Sequence, residues 1–126
     1  MLECRKMEID MTDYCNEYIS GLREKLGEKA VVLPSMILND GSLLSVQASQ
    51  FHYSSPRVWS EKYTRVEICF DNNNVTANIF FNDYIIDDIY IAAYVPVELV
   101  NDYIQISGGI DYEKISTVAI DFDEIL

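Results

Sequence analysis

The 126 residues are 49% hydrophobic, which is enough apolar material for the core of one domain and too much for a disordered chain. The net charge is −12 and it is uneven: residues 66–126 hold one lysine and twelve Asp or Glu, whereas residues 1–65 hold eight Lys or Arg and nine Asp or Glu. A surface this acidic repels nucleic acid and anionic membranes and attracts basic proteins, so we expect neither nucleic acid nor a membrane as a direct partner.

The first predicted element is an amphipathic helix that ends at Gly27. We expect Asp10 or Thr12 to cap its N-terminus and Gly27 to end it in the left-handed conformation. Its apolar residues recur at three- and four-residue steps, which places them on one helical face: Met11, Tyr14, Cys15, Tyr18, Ile19, Leu22 and Leu26.

Short strands are predicted next, at residues 31–33, 36–38 and 43–48. Pro34 limits the pairing of the first, and Asp40-Gly41 predicts a type I′ hairpin turn between the other two. Residues 49–62 have no regular period and predict a long connection.

The second half alternates between apolar and polar residues in several places. Residues 63–70 predict a half-buried antiparallel strand, and the alternation over 75–80 predicts another. A polar interruption at 83–88, either a loop or a short helical turn, precedes a strand at 89–94, and a last strand is predicted within 115–122.

A second helix is predicted after Pro96, which fits the first turn of a helix. Its buried stripe is predicted to hold Leu99, Val100, Tyr103 and Ile104, and Ser107-Gly108-Gly109 ends it. This order of elements indicates a single α+β domain over residues 1–126, with a mainly antiparallel sheet of about 4–6 strands flanked by two helices.

Residue types that carry catalysis or bind metals are sparse. His52 is the only histidine, and the serines near it do not form a nucleophile elbow, so we expect a structural imidazole. Residues 71–74 begin like a calcium loop, but its sixth position is Thr76 and its twelfth is Asn82. No cysteine pair has Cys-x-x-Cys spacing. We therefore predict no metal, no cofactor and no enzymatic activity.

The acidic half is rich in tyrosines. Exposed tyrosines beside carboxylates can bind arginine and lysine side chains by ring stacking and charge-assisted hydrogen bonds. The candidate partner-binding residues are Asp83, Tyr84, Asp87, Asp88, Tyr90, Glu98 and Asp102.

One stretch of the chain resembles a family of small, uncharacterised phage and prophage proteins. The motifs that carry the resemblance are Ser45-Val46-Gln47-Ala48-Ser49, His52-Tyr53, Pro56-Arg57 and Tyr63-Thr64-Arg65-Val66-Glu67. Residues 94–100 and 108–109 match the same pattern, so the resemblance covers roughly residues 36–109. It implies a viral or mobile-element origin and no particular activity. The chain departs from the family at Ser54, where relatives usually carry cysteine, and in the stretch 71–88.

These features favour an acidic binding protein that inhibits a host defence nuclease. A CRISPR effector holds nucleic acid in a positively charged channel, and an anti-CRISPR-like protein could occupy such a channel as a nucleic-acid mimic. One alternative is a phage structural or assembly accessory protein whose acidic surface only confers solubility, and another is a small hydrolase that uses His52.

The sequence has no apolar run near the about 20 residues of a membrane span and no signal peptide. We therefore expect the protein in the cytoplasm of the host cell. The oligomeric state, including a homodimer, stays open.

Overall fold

The computed structural model describes residues 12–27, 31–86 and 91–114. The described elements form one antiparallel sheet with strand order β1-β2-β3-β5-β4, together with helices. The predicted α+β fold with a mainly antiparallel sheet is therefore confirmed. In chain order the elements are α1 (Tyr14–Leu26), β1 (Met36–Ile37), β2 (Leu43–Gln47), β3 (Arg65–Cys69), α2 (Val75–Phe81), a 3-10 turn (Asn82–Tyr84), β4 (Ile85–Ile86), β5 (Ile91–Pro96) and α3 (Val97–Ile106).

Helix α1 forms as predicted but begins at a different cap. The Asp13 carboxylate, rather than Asp10 or Thr12, accepts a hydrogen bond from the backbone N–H of Asn16 at 3.2 Å, which satisfies one of the free donors of the first turn. Gly27 ends the helix with a φ of 64°, a conformation that only glycine adopts without strain. The predicted apolar stripe from Cys15 to Leu26 is buried.

The predicted strand at 31–33 is wrong, because the described residues there pair with a side chain instead of a strand. The Gln47 amide donates to the carbonyl of Leu33 at 2.8 Å and accepts from its N–H at 2.9 Å. Since Pro34 interrupts the segment and cannot donate to a ladder, one buried side chain takes over the role of a strand partner. Gln47 is accordingly buried.

The hairpin between β1 and β2 is confirmed, but its turn is not type I′. The Gly41 N–H donates to the Leu38 carbonyl, the Leu38 N–H donates to the Ser42 carbonyl, and only Gly41 in this turn has a positive φ. This pattern is a three-residue loop with glycine at the left-handed position.

The largest correction concerns residues 75–80, which form helix α2 rather than a strand. The Asn74 carboxamide caps the helix by accepting from the Ala77 N–H at 3.0 Å. Ala77 and Phe81, four residues apart, are both fully buried, whereas Val75 and Ile79 face outward. A helical period therefore explains the burial, and the short alternation in the sequence was ambiguous between the two structures.

Aromatic rings join α2 to α3 over the end of the sheet. The Tyr103 ring packs edge-on against Phe80 and Phe81, with centroids 5.5 and 5.3 Å apart, and the Phe81 ring centroid lies 5.7 Å from that of Phe70.

The predicted second helix is confirmed as α3, with Val100, Tyr103 and Ile104 buried. The strand predicted at 115–122 lies outside the described residues. None of the helices in the described ranges is long and apolar enough to cross a membrane.

Candidate functional site

Helix α3 carries two of the predicted partner-binding residues on its outer face. Glu98 and Asp102 are one helical turn apart and both are exposed, because the apolar residues of α3 turn the opposite face toward the core. Side chains four apart on a helix are neighbours, with Cβ atoms about 5–6 Å apart. Within the described ranges no lysine or arginine lies at ion-pair distance from either carboxylate. As far as the described residues go, the two charges have no cation partner, and the helix holds them at a fixed spacing.

The predicted residues between α2 and β5 are only partly described. Asp83 lies exposed in the 3-10 turn that follows α2. Tyr84 is half-buried and packs against the core, so its ring is less available to a partner than the sequence suggested. Asp87, Asp88 and Tyr90 lie outside the described residues.

The N-terminus of α1 adds carboxylates to the same side, which the sequence analysis missed. The Asn101 side chain on α3 accepts from the Cys15 N–H at 3.0 Å and donates to the Asp13 carboxylate at 3.3 Å, so the start of α1 is joined to the middle of α3. Burial raises the pKa of the Cys15 thiol, and the negative charges of Asp13 and Glu98 raise it further. Asn101 therefore links the Asp13 carboxylate to the helix that carries Glu98 and Asp102.

Glu17 stands one helical turn after Asp13 on α1 and is exposed. Burial raises the pKa of the Tyr112 hydroxyl, and the negative charge of Glu17 raises it further. We call the surface that joins the outer sides of α1 and α3 the acidic face, and its carboxylates are Asp13, Glu17, Glu98 and Asp102. Asp13 and Glu17 could have been found from the sequence, because they are one helical turn apart at the start of the predicted first helix. They were missed because residues 1–65 carry almost no net charge.

His52 is held by a buried hydroxyl. The Ser49 Oγ lies 2.8 Å from His52 Nδ1 and accepts from the Phe51 N–H at 3.0 Å. Its own hydrogen is thus free to donate to Nδ1 of a neutral imidazole. Burial lowers the pKa of His52 and the charge of Glu67 opposes this. Ser49 has no exposed surface, so its hydroxyl cannot meet a substrate as a hydrolytic nucleophile in this conformation.

The 49–62 connection is held in place by α1. The Arg23 guanidinium stacks on the Trp59 ring, 3.7 Å from its centroid, and donates to the carbonyls of Ala48 at 2.6 Å and Ser60 at 2.8 Å. These contacts explain how a long segment without regular structure keeps one conformation. The connection therefore has a structural role.

The calcium-like segment 71–74 is a turn that leads into α2. The Asp71 carboxylate accepts from the Asn73 N–H at 2.9 Å, and its carbonyl accepts from the Asn74 N–H at the same distance. Across the ranges that the structure describes, no three His, Cys, Asp or Glu side chains converge as metal ligands would.

Comparison with known proteins returns no similarity on which an assignment could rest. No protein-family model matches the chain. Neither the curated proteins nor the solved structures contain a significant match.

Proposed function

We propose that this chain is a phage-encoded acidic binding protein that inhibits a host defence nuclease by occupying a basic, nucleic-acid-binding surface. The observation that carries the proposal is the outer side of α3, where Glu98 and Asp102 stand exposed one turn apart with no described cation beside them. Carboxylates on a rigid helix can meet arginines bidentately, and such pairs are strong when water is excluded.

The charge of the rest of the second half supports the same proposal. Lys114, the one lysine or arginine after Arg65, lies 3.8 Å from Asp111 and so has its own carboxylate partner. The remaining acidic residues attract a basic surface and steer its approach, which makes association fast and sensitive to salt. The nuclease target, anti-CRISPR-like action and host cytoplasm rest on the phage resemblance and on analogy.

The test is charge reversal on the acidic face against a matched control. We expect E98K/D102K to weaken binding to a guide-loaded CRISPR effector at least about tenfold, because each lost charge pair at an interface is worth on the order of 1–3 kcal/mol. The control E24K/E61K makes the same change in net charge at two exposed residues beside Trp59 and should leave affinity within about twofold. Calorimetry and a cleavage assay, at about 50 and 300 mM NaCl, measure both variants.

Three results would contradict the proposal: equal losses in the two double variants, affinity that does not change with salt, or no binding to any effector tested. Tight binding to a phage structural protein without nuclease inhibition would instead favour the assembly accessory.

A further inference from the structure

Helix α2 exposes two aliphatic side chains on its outer face. Val75 is 70% exposed and Ile79 is 73% exposed, and their i, i+4 spacing makes them neighbours. The helix has no charged residue, which is unusual for a helix with a solvent-facing side. We call Val75 and Ile79 the aliphatic stripe. The Asn74 cap and the burial of Ala77 and Phe81 fix the rotation of α2, so the stripe cannot turn inward.

Shallow grooves flank the stripe. One, of about 550 Å³, is lined by Val75, Ile79 and three asparagines of the same segment. Another, of about 480 Å³, lies between the two helices and is lined by Phe80, Asp102, Gln105 and Ile106. Ile106 is itself 65% exposed. Phe80 follows Ile79 directly in α2, so both grooves have apolar side chains of this helix in their lining, and the Asp102 carboxylate of the acidic face lines the second.

The charge around the stripe limits what can cover it. Asp71 precedes α2, Asp83 follows it and Asp102 borders the groove toward α3; all three are exposed. A second copy of this chain would bring these carboxylates against the same carboxylates, and nucleic acid would bring phosphates, which like-charge repulsion disfavours. A segment with apolar side chains on one side and lysine or arginine around them can bury the aliphatic stripe and pair with the carboxylates that surround it.

We propose that the aliphatic stripe and the adjoining groove bind a basic amphipathic segment, helical in conformation, on the surface of the partner. Apolar anchors spaced three and four residues apart would cover Val75, Ile79 and Ile106, as in helix-in-groove recognition. Lysines or arginines beside them would meet Asp83 and Asp102. The inference rests on the proposed function in that the partner is basic, and it adds that recognition needs an apolar anchor as well as charge.

The experiment uses two synthetic peptides of equal charge. One is a helical peptide of about 18 residues with leucines at three- and four-residue steps and lysines elsewhere; the other replaces its leucines with glutamine. We expect the full chain to bind the leucine peptide at least about tenfold more tightly in fluorescence anisotropy, which corresponds to about 1.4 kcal/mol. The variant V75Q/I79Q should lose this preference and keep its affinity for the glutamine peptide, whereas the control V58Q, at another exposed valine, should keep both.

The outcomes separate this inference from the proposed function. If E98K/D102K weakens binding of both peptides while V75Q/I79Q changes neither, the acidic face binds basic partners and the stripe has no part in it. If the wild type forms a dimer that V75Q/I79Q dissociates, as measured by light scattering, a second copy covers the stripe and the inference is wrong. A loss of thermal stability in V75Q/I79Q beyond that of V58Q would also overturn the inference. Val75 and Ile79 would then stabilise the fold itself, which means that other residues of this chain, and not a partner, pack on the aliphatic stripe.

Discussion

Tyr63 connects helix α1, the 49–62 connection and the start of β3 through a single buried side chain. Its hydroxyl donates to the Val58 carbonyl at 2.7 Å and accepts from the Ser60 N–H at 2.9 Å and from Arg23 at 3.1 Å. Its backbone forms a pair with the Asn16 side chain, at 2.8 and 3.0 Å. A hydroxyl with three partners in the interior is fully committed, so its removal should leave several groups unsatisfied.

We therefore expect Tyr63→Phe to lower the free energy of unfolding by about 1–3 kcal/mol, the usual cost of leaving buried polar groups without partners. Tyr53→Phe is the control, because Tyr53 is at the surface and its ring contacts are retained; it should change stability by less than about 0.5 kcal/mol. Urea denaturation measures both. Equal effects in the two variants would mean that the Tyr63 hydroxyl does not hold the connection.

At the scale of elements, α2 is the helix whose existence depends most on its cap. It has only seven residues, too few for a stable helix on its own. The Asn74 side chain accepts from the Ala77 N–H at 3.0 Å and donates to the Tyr103 hydroxyl at 2.8 Å. One residue thus begins α2 and also ties it to α3, beside the packing of Phe81 on Tyr103.

We expect Asn74→Ala to lower the free energy of unfolding by about 1–2 kcal/mol, since it removes an N-cap and the bond to Tyr103 together. The control is Asn73→Ala, one residue earlier, whose exposed side chain caps nothing. The difference in denaturation midpoint between the two variants isolates the cap. A loss in Asn73→Ala as large as that in Asn74→Ala would contradict the role assigned to Asn74.

At the scale of the whole molecule, the charges of the described residues are segregated. Arg23 and Arg65 are engaged by carbonyls around the 49–62 connection, whereas the acidic face and the surroundings of the aliphatic stripe carry carboxylates without described cations nearby. Self-repulsion among like charges opposes the compact state. The arrangement suits a protein whose acidic surface is neutralised by a partner, which would stabilise the fold through binding.

Salt should therefore stabilise the free protein. We expect the Tm to rise by a few degrees between about 20 and 300 mM NaCl, because the screening length falls to about 6 Å and the repulsion between carboxylates weakens. In E98K/D102K the rise should be smaller, and in E24K/E61K closer to the wild type, since Glu24 and Glu61 line a groove with the cation of Arg23 at the C-terminal end of α1. Differential scanning calorimetry measures the three slopes; a Tm that does not respond to salt in the wild type would contradict this prediction.

Elements with a long or strict hydrophobic period were predictable from the sequence. The stripe of α1 from Cys15 to Leu26 follows a helical period over several turns, and Val66, Ile68 and Phe70 alternate cleanly; both patterns match the observed burial. Proline predicted the beginning of α3 because it fixes φ near the helical value, and glycine predicted the hairpin turn because it adopts a positive φ without strain. The uneven charge is likewise a property of the sequence alone.

Tertiary structure decided what short patterns left ambiguous. Six alternating residues suit a strand as well as a helix, and the cap at Asn74 with the burial of Phe81 selected the helix. Gln47 is polar, so its burial could not be predicted without its hydrogen bonds to the backbone of Leu33. The acidic face required α1 and α3 to meet, which brought Asp13 into hydrogen-bond contact with Asn101, 88 residues later, on the helix that carries Glu98. Contacts between distant residues have no local signature, so only the folded molecule could join them.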